Sequence, residues 1–137
     1  MDTSGKQLRC VVVTPEQAVL DEACDFAAVP MFDGELGVMP GRTPLIGRLG
    51  AGELRIKQGS NTKRYFVDGG FVQIRENVVT LLTEKAIASD TLTVATAETE
   101  LQTALRKPMK TAYEMTVAKR AQLSARAKLR IAGKRLA

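Results

Sequence analysis

Apolar residues recur along this chain in short, β-branched runs, and nearly every run ends at a glycine, a proline or an acidic pair. Leu8 to Thr14 (Leu-Arg-Cys-Val-Val-Val-Thr) stops at Pro15, which predicts a strand with a hard end, because proline fixes φ and lacks an amide donor. Ala18-Val19-Leu20 begins a return strand, with Asp21-Glu22 expected to bend or bulge it before Cys24 to Val29. Further on, Arg55 to Gln58, Lys63 to Val67, Phe71 to Arg75 and Val78 to Thr83 read as strands. Between them Gly59-Ser60-Asn61-Thr62, Asp68-Gly69-Gly70 and Glu76-Asn77 supply turns. Short strands with turn signals about every 8–12 residues predict an antiparallel β-sandwich or barrel.

One stretch organises this body. Asp33 to Ile56 carries Gly34, Gly37, Gly41, Gly47, Gly50 and Gly52, with Pro40 and Pro44, around the apolar pieces Leu36-Val38-Met39, Leu45-Ile46 and Leu54-Ile56. So many breakers forbid a helix, and the apolar content is too high for a disordered linker. The prediction is a compact loop and two short strands at one rim of the sandwich. Gly-Glu-Leu-Gly-Val-Met-Pro-Gly (34–41) looks superficially like a phosphate-cradling loop, but it lacks a Gly-Lys-Ser/Thr ending and no helix follows it.

At Ala86 the period changes. Val94, Ala97, Leu101, Ala104 and Leu105 recur at helical spacing over Leu92 to Arg106, and Pro108 stops that helix. A second helix is expected from Met109 to Ala132, with Gly133 as its cap. Met115, Ala118, Ala121, Ala125, Leu129 and Ala132 form its apolar stripe, and Lys119, Arg120, Arg126 and Arg130 occupy its other faces. Alanines bury little area, so at about 25 cal/mol per Å² the hairpin should be held weakly. The fold class is therefore β + α, with a sandwich domain at 1–88 and a two-helix antiparallel hairpin at 89–137, and a weakly held hairpin is a candidate switch.

Composition narrows the chemistry. The 137 residues contain no His and no Trp, which removes the commonest general base and zinc ligand and disfavours base stacking on aromatic rings. Cys10 and Cys24, on the first two strands, have no metal-ligand spacing and read as buried free thiols, although a disulfide is geometrically conceivable. Residues 1–100 carry 10 Lys/Arg against 14 Asp/Glu, whereas residues 101–137 carry 10 against the single Glu114. The basic tail is either a solvated face, a surface for an acidic protein, or a nucleic-acid or anionic-lipid binder. No run approaches the ~20 apolar residues of a membrane span, and Met1 to Arg9 has neither a secretory nor a transit pattern, so a bacterial cytoplasm is the expected location.

The run Gly34 to Leu45, followed by Leu49, Gly52 and Ile56, closely resembles the epsilon subunit of F-type ATP synthases. The resemblance extends through Val12-Val13-Thr14-Pro15-Glu16, Val67-Asp68-Gly69-Gly70-Phe71 and Val78-Val79-Thr80-Leu81-Leu82, and covers roughly residues 8 to 90. It implies a non-catalytic central-stalk subunit that binds the gamma subunit and rests on the ring of c subunits. The subunit would be peripheral, on the cytoplasmic face of the bacterial plasma membrane, with no cofactor. By position, ring contact carries over to Glu35 and Arg42, where the family more often has His in place of Arg42.

The resemblance also implies that the second helix can extend along gamma into the catalytic hexamer and restrain ATP hydrolysis. Lys119, Arg120, Arg126, Lys128, Arg130 and Lys134 would then meet an acidic segment of the beta, and in part the alpha, subunits. Some bacterial members bind ATP through an aliphatic–Asp–x–x–Arg–Ala motif. Here Leu92, Thr93, Thr96 and Ala97 occupy its places, with Thr93 and Thr96 replacing the charged pair, so no nucleotide binding of that kind is expected. The alternative from another class is a free-standing module whose basic helices hold nucleic acid, with steeply salt-dependent binding. An enzyme finds no nucleophile–base or metal set to rest on.

Overall fold

The computed structural model describes residues 7–136; the sequence reading of Met1 to Lys6 and the terminal Ala137 lie outside the described residues. Ten strands come first: β1 (Leu8–Val13), β2 (Ala18–Cys24), β3 (Phe26–Met31), β4 (Gly34–Val38), β5 (Leu45–Arg48), β6 (Ala51–Gln58), β7 (Asn61–Asp68), β8 (Phe71–Arg75), β9 (Val78–Leu82) and β10 (Ala86–Ala88). A single 3-10 turn, Ser89–Thr91, leads into α1 (Val94–Leu105) and α2 (Ala112–Leu136). The strands form two five-stranded sheets, ordered β2-β1-β9-β8-β5 and β10-β7-β6-β3-β4. All but one of the pairings are antiparallel; β1 and β9 run parallel, which their distance in the chain permits.

The sheets face each other across Val12, Val29, Leu54, Ile56, Val67, Ile74, Val79 and Leu81, all essentially inaccessible to solvent. The two-residue side-chain period explains this, since alternate positions of β1, β6, β8 and β9 point inward. At one end the layers are stitched around a Met31–Leu49 bridge by backbone bonds, Phe32 N–H to Arg48 O (3.0 Å) and Gly50 N–H to Pro30 O (2.9 Å).

Asp21-Glu22 does not bend the second strand. β2 runs unbroken to Cys24, because each acid is consumed by a partner: Arg9 Nε donates to Asp21 at 2.6 Å, and Lys63 Nζ reaches both oxygens of Glu22 at 2.7 Å. The chain kinks instead at Asp25, where it leaves one sheet for the other. There the Asp25 carboxylate accepts from Gly59 N–H (2.7 Å) and its own N–H donates to Lys57 O (2.7 Å). The turn after β6 is also shorter than expected, with β7 already under way at Asn61.

In the helical part, Ala86 to Ala88 is a strand paired with β7 and not yet helical. Thr93 caps α1, its Oγ1 accepting from Thr96 N–H at 3.2 Å. α2 starts at Ala112 because Thr111 and Glu114 form a capping box: Glu114 N–H donates to Thr111 Oγ1, and Glu114 Oε1 accepts from Thr111 N–H, both at 3.1 Å. Gly133 does not cap the helix but continues it, with no left-handed backbone and nothing near a Cβ there.

α2 packs on α1 and along β6 and β7. It is held by a second, small core in which Phe66, pointing out of the sandwich, meets Leu92, Ala127, Ile131 and Ala132. Most of the expected stripe is packed: Ala118, Ala125 and Ala132 are buried and Ala121 and Leu129 half-buried, while Met115 is exposed and Ala127 and Ile131, outside the stripe, add the contact with Phe66.

Candidate docking surfaces

β4 and β5 are the outermost strands of their respective sheets, and residues 39–44 arch from one to the other. Glu35 stands on β4 opposite Pro30, near the tight β3–β4 turn, and its carboxylate accepts from Arg55 at 2.8 Å while remaining half exposed. Arg42 lies beyond the other end of β4, exposed, in a loop closed by Arg42 N–H to Met39 O (3.2 Å). That loop is pinned by Gly41 N–H donating to Asn77 Oδ1 at 2.8 Å, with Gly41 at φ +88. Glu35 and Arg42 therefore do not share a tip; they bracket a strand edge that no other strand among the described residues pairs with, with exposed Met39 and Ile46 beside it. A free edge offers unpaired N–H and C=O groups and invites a partner along its length.

The six cations of α2 do not form one face. Lys119 projects into solvent. Arg120, Arg126 and Arg130 overhang a groove of about 950 Å³ at the end of the sandwich, whose apolar wall includes Phe32, Phe71, Leu82 and Leu123. Lys134 lies with Ile131 beside Glu53, Arg64 and Tyr65 of the outer sheet. Lys128 is a correction to the solvated-face reading: it is 7% exposed, pairs with Glu100 at 2.9 Å and sits 5.2 Å from the Phe66 ring centroid. In the sequence Phe66 reads as one more strand residue. Its neighbours Tyr65 and Val67 belong to the sandwich core, so strict alternation would have turned Phe66 outward, under the helices.

At the nucleotide-motif position, Thr93 Oγ1 donates to Thr96 Oγ1 at 2.8 Å, so the two hydroxyls that replace the charged pair are spent on the helix cap. Cys10 and Cys24 are buried free thiols; Cys10 pairs with Glu22 and Cys24 with Leu8, so the cysteines are diagonal across the hairpin. Burial pushes the Cys10 thiol up to about 12. The displaced carboxyls lie at the β2 side: hydrogen bonds from Arg9 hold Asp21 low, those from Lys63 and Gln58 hold Glu22 low, and the Gly59 amide holds Asp25 low. Among the described residues no three His, Cys, Asp or Glu converge as a metal set, and no helix is long and apolar enough to cross a membrane.

Fold and surfaces together define a class: a two-sheet sandwich with a free edge, carrying a lightly docked basic helical hairpin. The profile of the ATP synthase, Delta/Epsilon chain, beta-sandwich domain matches residues 7–89, the whole of that sandwich. The ATP synthase epsilon chain of Rhodopirellula baltica is 50% identical over 123 residues, 90% of this chain and 96% of that protein. That of Pelotomaculum thermopropionicum is 41% identical over 95 residues, 69% of this chain and 71% of its own. This chain belongs to the ATP synthase epsilon chain family.

Among solved structures, a chain of the Euglena gracilis mitochondrial ATP synthase (OSCP/F1/c-ring) superposes with a TM-score of 0.77 at 19% identity, over 88% of this chain and 78% of that one. A chain of the Tetrahymena thermophila mitochondrial ATP synthase central stalk/c-ring gives 0.69 at 16% identity, over 96% and 98%. At these identities the likeness is one of fold.

Proposed function

We propose that this chain is a non-catalytic subunit of the ATP synthase central stalk, peripheral to the bacterial plasma membrane on its cytoplasmic face. The sandwich binds gamma and rests on the c ring along the β4 edge, with Glu35 and Arg42 as contacts. The hairpin restrains ATP hydrolysis by opening, so that α2 leaves both α1 and the sandwich and presents its cations to acidic surfaces of the beta, and in part the alpha, subunits. Beyond family membership, one observation supports this division: the sandwich closes its own core, and the hairpin is added through a separate, small patch around Phe66. A part held through so little apolar area can leave without unfolding the rest.

The test is co-purification with the gamma subunit, using the full chain and a chain ending at Ala88. Equal capture of both supports the reading, since gamma binding is then a property of the sandwich. Loss of capture on truncation contradicts it. A mobility-shift assay with duplex DNA at two salt concentrations discriminates the nucleic-acid alternative, which requires tight binding that falls steeply with salt.

A further inference from the structure

Among the described residues, Lys128 is the only charged residue that is buried, and it touches three elements at once. It projects from α2, its Nζ donates to Glu100 Oε2 of α1 at 2.9 Å, and it lies 5.2 Å from the centroid of Phe66 on β7. An ammonium taken out of water is tolerated only with an opposite charge or a ring face against it. Here Glu100 supplies the charge and Phe66 the face. Glu100 keeps its other side in water, with a side-chain exposure of 41%, whereas that of Lys128 is 9%. The pair is therefore asymmetric: losing the carboxylate strands a buried cation, while losing the cation leaves a carboxylate that water can still solvate.

We propose that Lys128 is an electrostatic latch whose one charge serves two exclusive states. Docked, it is neutralised by Glu100 against Phe66. Released, the same ammonium is available to a carboxylate-rich protein surface, which takes over the role of Glu100. Docking on the sandwich and binding the acidic surface then compete for one group, so the acidic partner itself drives release. This second clause rests on the reading of α2 under Proposed function; the latch clause does not.

Three variants separate the latch from simple packing: Glu100→Gln, Lys128→Met and the double variant. Methionine keeps the stem over Phe66 without the charge. Spin labels on cysteines placed at the exposed positions Asn61 and Tyr113 report the distance between sandwich and α2 in the isolated full chain; Cys10 and Cys24 are buried and stay unlabelled. Glu100→Gln is expected to raise the open fraction about tenfold, the order that follows from stranding a partly shielded buried charge. Lys128→Met stays closed, and adding it to Glu100→Gln closes the hairpin again.

In the reconstituted ATP synthase, Glu100→Gln should inhibit hydrolysis more than the unaltered chain, and Lys128→Met less. If Glu100→Gln and Lys128→Met give the same distance distribution, the latch is refuted, while the reading of α2 as a brake still stands. If the distances separate but hydrolysis is the same for all variants, the competition clause and the reading beneath it fall together.

Discussion

Replacing Phe66 by Ala probes the join between the two parts of the molecule. Phe66 is 0% exposed, yet it lies outside the sandwich core and at the centre of the patch with Leu92, Ala127, Ile131 and Ala132. Its truncation removes a fully buried ring, a class of change that costs about 3–5 kcal/mol. The partners on α2 are mostly alanines, which at about 25 cal/mol per Å² bring little area to compensate. It also removes the ring face beneath Lys128. Assigned to docking, even the lower figure of about 3 kcal/mol moves the docked-to-open ratio by about a hundredfold. Limited trypsinolysis reads this directly, because Lys119, Arg120 and Arg126 are exposed targets on α2. Cleavage in α2 should accelerate while the sandwich survives as a protected fragment. The comparison is Ile74→Ala, inside the sandwich core, which should instead lower the unfolding midpoint of the whole chain. If Phe66→Ala lowers that midpoint as much as Ile74→Ala and yields no protected fragment, the two cores are one cooperative unit and the reasoning is wrong.

Gly70→Ala should prevent stable folding or cost several kcal/mol by chemical denaturation, since Gly70 has φ +102 and a Cβ there would clash with the Leu82 carbonyl oxygen. Glu35→Ala should change unfolding stability by no more than ~1 kcal/mol, because its pair with Arg55 is surface-exposed, yet reduce proton-coupled ATP synthesis in the assembled complex. A normal coupling ratio in that variant and in Arg42→Ala would remove the β4 edge from the ring contact. Acid should destabilise the fold in part through Asp25, whose folded-state pKa lies below the unfolded value of about 3.9. Its contribution is present above that value and lost as pH falls through the folded pKa. The urea midpoint should therefore drop less between pH 5 and pH 3 in Asp25→Asn than in the unaltered chain.

Much of the fold was legible because local signals agreed with one another. β-branched runs closed by Pro15, Gly59, Gly69-Gly70 and Glu76-Asn77 mark strands wherever they occur, and Glu76 and Asn77 do take positive φ. The misplacements have physical causes. Asp21 and Glu22 look like a break, but their charges are neutralised by Arg9 on the neighbouring strand and by Lys63 on the opposite sheet, partners that only strand pairing and sheet packing reveal. Asp25 is the true kink, set by a hydrogen bond to Gly59, 34 residues away. The start of α2 is signalled by Thr111-x-x-Glu114, a capping box that sets the helix three residues beyond Met109. Gly133 resembles a cap, yet the helix runs through it. The division of the basic stripe was readable only in part. Lys128 stands three residues after buried Ala125 and four before buried Ala132, so helical spacing turns it toward the packed side, but its partners Glu100 and Phe66 lie on other elements and no spacing along α2 encodes them.

The central claim, that a self-sufficient sandwich couples while a releasable hairpin restrains, is met most directly by ATP hydrolysis of the reconstituted complex carrying either the full chain or a chain ending at Ala88. The account predicts equal assembly and proton coupling for both and faster hydrolysis with the shortened chain. A shortened chain that fails to assemble, or assembles with hydrolysis unchanged, contradicts it.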